Sequence, residues 1–180
     1  MKTNSRQKNI SLPDEALAII REHSRGRVLE LGTGTCKGTE AALVNGESVV
    51  TVDHVFRFTT AAFARYDGDP RVFPLYMPLE GKTYSFNDFL HEDIQFNTII
   101  VDGPIGTETR DATLGAVIPM LAKDGKLIVH DSKRDWAIIH KWANHFGLEV
   151  QQFWTPKGTA LLEKKQIKTR ETEDGPRGSP

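Results

Sequence analysis

Carboxylates, glycines and one imidazole stand in this sequence at intervals that suit chemistry. Glu30-Leu31-Gly32-Thr33-Gly34 runs into Thr35-Cys36-Lys37-Gly38, and Asp53 lies 21 residues after Gly32. Glycines let a backbone turn tightly and approach a ligand closely. A carboxylate about 20 residues beyond such a turn can accept hydrogen bonds from both hydroxyls of a ribose. Further along, Asp102-Gly103-Pro104 follows the apolar run 97–101, and His130-Asp131 follows the run 126–129. Two carboxylates and an imidazole at neighbouring strand ends suit proton transfer. Asp102 and Asp131 equally offer the oxygen ligands of a divalent metal such as Mg²⁺, with His130 broadening the choice. His130 is the expected general base, because an unperturbed imidazole titrates near ~6.5. A metal that acidifies the acceptor hydroxyl is the alternative.

Position 30 separates two kinds of nucleotide ligand. A carboxylate there repels a pyrophosphate, and Lys37 stands where the third glycine of G-x-G-x-x-G would fall. The same carboxylate attracts an ammonium or a sulfonium, by ~4 kcal/mol at ~4 Å in a partly shielded site before desolvation. S-adenosylmethionine (SAM) carries both cations, and its carboxylate can use the N-terminus of the helix that follows. Glu30, Gly32, Thr33, Gly34 and Asp53 are therefore the expected cofactor contacts. His54 either lines the adenine or faces solvent.

These residues need elements to hold them. Short strands are expected over 27–31, 48–52, 72–77, 97–101 and 126–129, and a hairpin over 148–154 and 158–163. Helices are expected over 11–24, 37–44, 58–66, 85–91, 111–122 and 134–146, with Ser11 as a cap and Pro13 in the first turn. Residues 123–125 read as a turn. Strand–helix alternation predicts a Rossmann-like α/β three-layer sandwich with a seven-stranded, mostly parallel sheet that ends in an antiparallel β-hairpin. Ligands in such sheets bind beyond the carboxyl ends of the strands, where the strand order reverses.

Length and composition set the frame. The chain has 180 residues, enough for about one domain. That domain is expected over 11–163, between a flexible 1–10 and a disordered, charged 164–180. With 23 Lys+Arg against 24 Asp+Glu the net charge is −1, which gives no support to nucleic acid as a partner. No apolar run approaches ~18 residues, so no membrane span is expected, and the N-terminus lacks the apolar core of a signal peptide. The single cysteine, Cys36, suits a reducing, cytoplasmic compartment.

Motifs 30–35 and 49–53 together resemble motif I and the acidic loop of class I SAM-dependent methyltransferases. The later IIVDGP, LAKDGKLIVHD and terminal hairpin continue the likeness over about residues 27–163. Cys36 stands where many members have a third glycine. The resemblance implies a methyltransferase with SAM as cofactor and Asp102 beside both SAM and the acceptor. Metal-dependent O-methyltransferases of the catechol type carry Asp at the first exit and Asp-Asn at the next. Here Ser132 replaces the Asn, and Ile105 the Lys that group places three residues after the first Asp. Sugar O-methyltransferases with an Asp-Gly-Pro-like motif are a second relative.

The expected function is SAM-dependent methyl transfer, by in-line displacement, to an oxygen of a small molecule or sugar. Asp102, His130 and Asp131 are the expected catalytic residues. With so little lid, the substrate is either partly exposed or enclosed with the help of a second copy of the chain. Arg110, Lys133 and Arg134 are candidates for an anionic substrate, against the plainer role of solvated charges. Two rivals share the fold, an NAD(P)-binding oxidoreductase and an aminopropyl-transferring enzyme, and a third, from a different class, is a non-catalytic SAM-binding or scaffold protein.

Overall fold

Apolar residues alternate along the strands so that both sheet faces are covered. The computed structural model describes residues 12–86 and 94–164. In chain order the elements are α1 (Asp14–His23), β1 (Gly26–Leu31), α2 (Lys37–Ala42), β2 (Gly46–Asp53), α3 (Phe56–Arg65) and β3 (Val72–Tyr76). A small hairpin follows, β4 (Leu79–Glu80) and β5 (Thr83–Tyr84), then β6 (Phe96–Val101) and α4 (Thr107–Val117). β7 (Leu121–His130), α5 (Ser132–Phe146), β8 (Leu148–Phe153) and β9 (Thr159–Lys164) complete the fold.

The sheet has seven strands in the order β3-β2-β1-β6-β7-β9-β8. β1 pairs in parallel with β2 and β6, β2 with β3, and β6 with β7. β9 is antiparallel to both β7 and β8. Strand order thus reverses between β1 and β6. Leu29, Leu31, Ile99, Val101, Leu127 and Val129 pack on one face with Leu114, Val117 and Ile139 of α4 and α5. Val28, Val49, Ile100 and Ile128 pack on the other with Ala16, Ile20 and Ala41 of α1 and α2. Each strand therefore divides its residues between two cores, as period-2 geometry requires. The predicted three-layer sandwich is the observed one.

Local differences have local causes. The helix expected over 111–122 spans Thr107–Val117 and tightens to a 3₁₀ turn at Ile118–Met120. Pro119 has no N–H to donate and its ring opposes a further helical turn. The turn expected at 123–125 lies inside β7, where pairing with β6 jumps from Phe96↔Leu121 to Thr98↔Lys126. Pro13 takes the N-cap position of α1. The hairpin β4–β5 was not expected; Gly81 (φ +64°) makes its turn. Ser11, the part of the expected 85–91 helix beyond residue 86, and the terminal segments 1–10 and 165–180 lie outside the described residues; Lys164 belongs to β9. Among the described residues no helix is long and apolar enough to cross a membrane.

Candidate active site

The site is built where the strand order reverses. β1 ends at Leu31, whose carbonyl accepts hydrogen bonds from the backbone N–H of Asp102 (2.9 Å) and Gly103 (2.8 Å). Gly32 N–H donates to the Val52 carbonyl at 2.8 Å, so the exits of β1, β2 and β6 are tied together. Gly32 (φ +101°) and Gly34 (φ +48°) turn the chain in the left-handed region that favours glycine. A Cβ on Gly32 would stand 2.7 Å from the Gly103 nitrogen. Cys36 also has positive φ (65°) and is buried. The residue at the position of the missing glycine therefore adopts a glycine-like backbone.

Asp53 is buried and braces this loop. Its Oδ2 accepts from Gly34 N–H at 3.1 Å and its Oδ1 from Val55 N–H at 2.8 Å. A carboxylate offers about four acceptor positions, so lone pairs remain for a diol. Asp53, Gly32, Gly34, His54 and Asp102 line one cavity of about 300 Å³ with His130 and Asp131. Seven of the expected site residues are thus brought to one wall. The His54 ring meets the buried Tyr84 ring edge-on at 6.0 Å, so the unexpected hairpin β4–β5 backs this part of the site.

Glu30 and Thr33 do not line the cavity. Glu30 shares its strand face with Val28 and turns under the loop toward α2, where it is 1% exposed. Its Oε2 accepts from Thr39 Oγ1 (2.5 Å) and Thr51 Oγ1 (2.7 Å), and Thr33 Oγ1 lies 2.7 Å from Thr51 Oγ1. Among the described residues Oε1 has no hydrogen-bond partner, and it sits against Gly38, where any Cβ would collide with it. Burial raises the Glu30 carboxyl to about 7, against the lowering effect of the two threonines; Asp102 and Asp53 add to the rise. The expectation of a carboxylate in contact with the cofactor's cations meets a buried acid beneath the glycine loop, outside the cavity lining.

This has a measurable consequence. The folded acid titrates near 7 and the unfolded one near 4.5. Its contribution to stability is full below the unfolded value and is lost as pH rises through the folded one, by about 3 kcal/mol in all. Glu30→Gln removes the titration. Its melting temperature relative to the parent should rise from pH 5 to pH 8; a flat difference would refute the buried-acid description.

Asp102 is held near the cavity by the two bonds to Leu31. Burial raises its carboxyl to about 6; Arg110 and Lys157 oppose the rise and Asp131 adds to it. His130 is almost fully buried, and among the described residues its Nδ1 has no hydrogen-bond partner. Burial lowers its imidazole to about 4, outweighing Asp131, with Lys157, Arg110 and Arg134 pushing the same way. The expected titration near ~6.5 is thereby corrected: desolvation of the imidazolium wins.

Asp131 caps α5 with a left-handed backbone (φ 60°). Its carboxylate faces His130 Nε2 (3.4 Å), Arg134 Nη1 (3.3 Å) and Lys157 Nζ (3.7 Å). Among the described residues no three of His, Cys, Asp and Glu come together to hold a metal. Two cationic side chains stand around Asp131 where a metal would compete with them. The donor set does not fit the expected Asp102–Asp131 metal site.

Sequence reasoning missed Lys157 in the cavity wall and misplaced Arg110. Arg110 is fully buried, donates from Nη1 to the Val101 carbonyl at 2.8 Å and pairs with the buried Asp135 at 3.2 Å. It braces the strand end just before Asp102. The signal for Lys157 was the hairpin turn itself, which overhangs the end of β7 because β9 pairs Thr159 with His130.

A parallel sheet with this order, closed by an antiparallel hairpin and carrying a glycine loop and an acid at the reversal point, is the fold of class I SAM-dependent methyltransferases. Solved structures bear this out. A methyltransferase of Podospora anserina with SAH bound superposes with a TM-score of 0.61 at 14% identity, over 88% of this chain and 81% of that one. A precorrin-6y methyltransferase from Geobacter metallireducens gives 0.67 at 11% identity, over 88% and 92%. A ribosomal-protein methylase from Lactobacillus delbrueckii subsp. bulgaricus gives 0.61 at 16% identity, over 91% and 81%. No family model and no curated protein matches the sequence. At these identities the likeness is one of fold.

Proposed function

We propose that the protein is a SAM-dependent methyltransferase whose acceptor is an oxygen of a small molecule or sugar. The observation that carries this reading is the joining of the Gly32–Gly34 loop, Asp53 and Asp102 around one cavity at the reversal point. Asp53 has lone pairs left for the ribose hydroxyls. The open backbone at Gly32 and Gly34 admits the methionine end, and Asp102 presents a carboxylate to its cations. Bound there, SAM supplies a methyl group already activated on a sulfonium.

The chain's own work is alignment and proton handling. Asp102, tied to β1 through the Leu31 carbonyl, holds its charge at a fixed place beside the acceptor end of the cavity. Fixing the reacting partners in line can supply several kcal/mol of the barrier. His130 Nδ1 is the proton acceptor in this reading. It is neutral throughout the neutral pH range and weakly basic. It therefore takes the hydroxyl proton as the oxygen–carbon bond forms rather than beforehand. Asp131 and its cations orient the imidazole from the Nε2 side.

Calorimetric titration of the purified protein tests the cofactor reading directly. SAM and SAH are expected to bind one site in the micromolar range, NAD⁺ not to bind, and EDTA to change nothing. NAD⁺ binding without SAM binding would transfer the site to the oxidoreductase alternative. A SAM isotherm that collapses in EDTA would restore the metal.

A further inference from the structure

We propose that Lys157 is the acceptor-binding cation of this cavity and that the acceptor is an organic anion, bearing a carboxylate or phosphate beside the group that is methylated. The inference rests on the methyltransferase reading of the site and adds the acceptor's charge to it.

The argument starts from charge balance. Arg110 and Arg134 bracket Asp135 at 3.2 and 2.6 Å, and Arg134 reaches Asp131 at 3.3 Å. Two guanidiniums meet two carboxylates, so this chain of ion pairs is neutral without Lys157. His130 adds no charge at neutral pH, since burial holds its imidazole well below the usual range. Asp102 is matched in this reading by the cofactor's single net positive charge, and Asp53 receives its ribose hydroxyls. Lys157 and Arg57 are the cavity-lining cations outside these guanidinium–carboxylate pairs, and Lys157 is the one beside Asp131. It lies 3.7 Å from Asp131, beyond hydrogen-bond reach, and among the described residues its Nζ donates no hydrogen bond.

The lysine is also held in place. Ser132 N–H donates to the Gly158 carbonyl at 3.2 Å and Lys133 N–H to the Lys157 carbonyl at 3.2 Å. Lys133 Nζ donates to the Pro156 carbonyl at 3.1 Å. Gly158 (φ +81°) lies so close to α5 that a Cβ would stand 2.6 Å from Ser132 Oγ. The first turn of α5 thus clamps the hairpin turn that carries Lys157 to the cavity wall, where its side chain is half exposed. A second feature points to a ligand at the same wall: His130, 4% exposed, lines the cavity, and among the described residues its buried Nδ1 has no hydrogen-bond partner. Ile105, 82% exposed, lines the same cavity and offers apolar surface to the rest of the molecule. A cation, a proton acceptor and an exposed apolar side chain together fit an organic anion with a hydroxyl.

The test uses the full chain saturated with SAH, titrated by calorimetry with sodium benzoate, phenyl phosphate and, as the neutral control, benzyl alcohol. At least one anion is expected to bind a single site, at least tenfold more tightly than benzyl alcohol. The tighter of the two identifies carboxylate or phosphate. Lys157→Gln should weaken that binding at least tenfold and leave SAH affinity within twofold, while Lys157→Arg should retain both. Binding of neither anion, equal binding of the alcohol, or an unchanged anion affinity in Lys157→Gln overturns the proposal while the cofactor reading stands. Failure of SAH to bind the parent protein overturns both.

Discussion

Asp102→Asn is expected to abolish the preference of the protein for SAM over SAH. The two ligands differ at the sulfur by one methyl group and one positive charge. Were the sulfonium bound ~5 Å from this carboxylate, at an effective dielectric of about 20, the charge would favour SAM by roughly 3 kcal/mol before desolvation. A tenfold to hundredfold ratio of dissociation constants is the expected readout in the parent, falling to about one in Asp102→Asn. The pH dependence supplies the sign. Burial lifts the Asp102 carboxyl to about 6, so the charge is present above that pH and disappears below it. The preference should therefore be full at pH 8 and fade from pH 7 to pH 5, and Asp102→Asn should show no such trend. Both ligands can be titrated without knowing the acceptor. A ratio that survives in Asp102→Asn would move the sulfonium away from this carboxylate and remove Asp102 from the proposed chemistry.

The second large effect is expected at Gly32. A Cβ there would meet the Gly103 nitrogen at 2.7 Å and the Asp102 carbonyl carbon at 3.1 Å, both backbone atoms. Those atoms cannot rotate away, because Asp102 and Gly103 both donate to the Leu31 carbonyl. The φ of +101° adds the strain of a conformation that costs a residue with a Cβ about 1–2 kcal/mol. Gly32→Ala should lower stability by about 3 kcal/mol in denaturant unfolding, within the range of large single-site effects. It should also weaken SAM binding at least a hundredfold, because the exits of β1 and β6 must part to admit the methyl group. Gly68→Ala is the control: its φ is also positive (+80°), yet a Cβ there meets nothing within 4 Å. That variant should pay only the backbone strain and keep SAM affinity. Equal losses in the two variants would mean that the contact between the two strand exits is not what shapes the site.

The sequence by itself determined the fold class and the positions of the strand exits, while the order of the outer strands came from the tertiary structure. Fold class and exits both rest on local physics. Runs such as 97–101 and 126–129 alternate sides and end at Asp102 and His130, and glycines at 32 and 34 permit the turn that brings the exit of β1 over the sheet. Asp53, His54, Asp102, His130 and Asp131 reach one cavity because a parallel sheet places all its carboxyl ends on one edge. Only the tertiary structure decided what those side chains face. Glu30 turned away from the cavity because its strand parity is that of Val28, and only the packing of α2 made that side a closed pocket with Thr39 and Gly38 at its wall. Arg110 and Asp135 lie on different helices and found each other in the core between them. The proton affinities of Asp102 and His130 moved in opposite senses because burial disfavours whichever form is charged. Lys157 entered the cavity wall through a hairpin that folds back on the first turn of α5, a contact between residues 24 positions apart (Lys133 and Lys157) that no local pattern encodes. Local sequence sets where the chain turns; the balance of charge and desolvation inside the site depends on distances that exist only after the layers close.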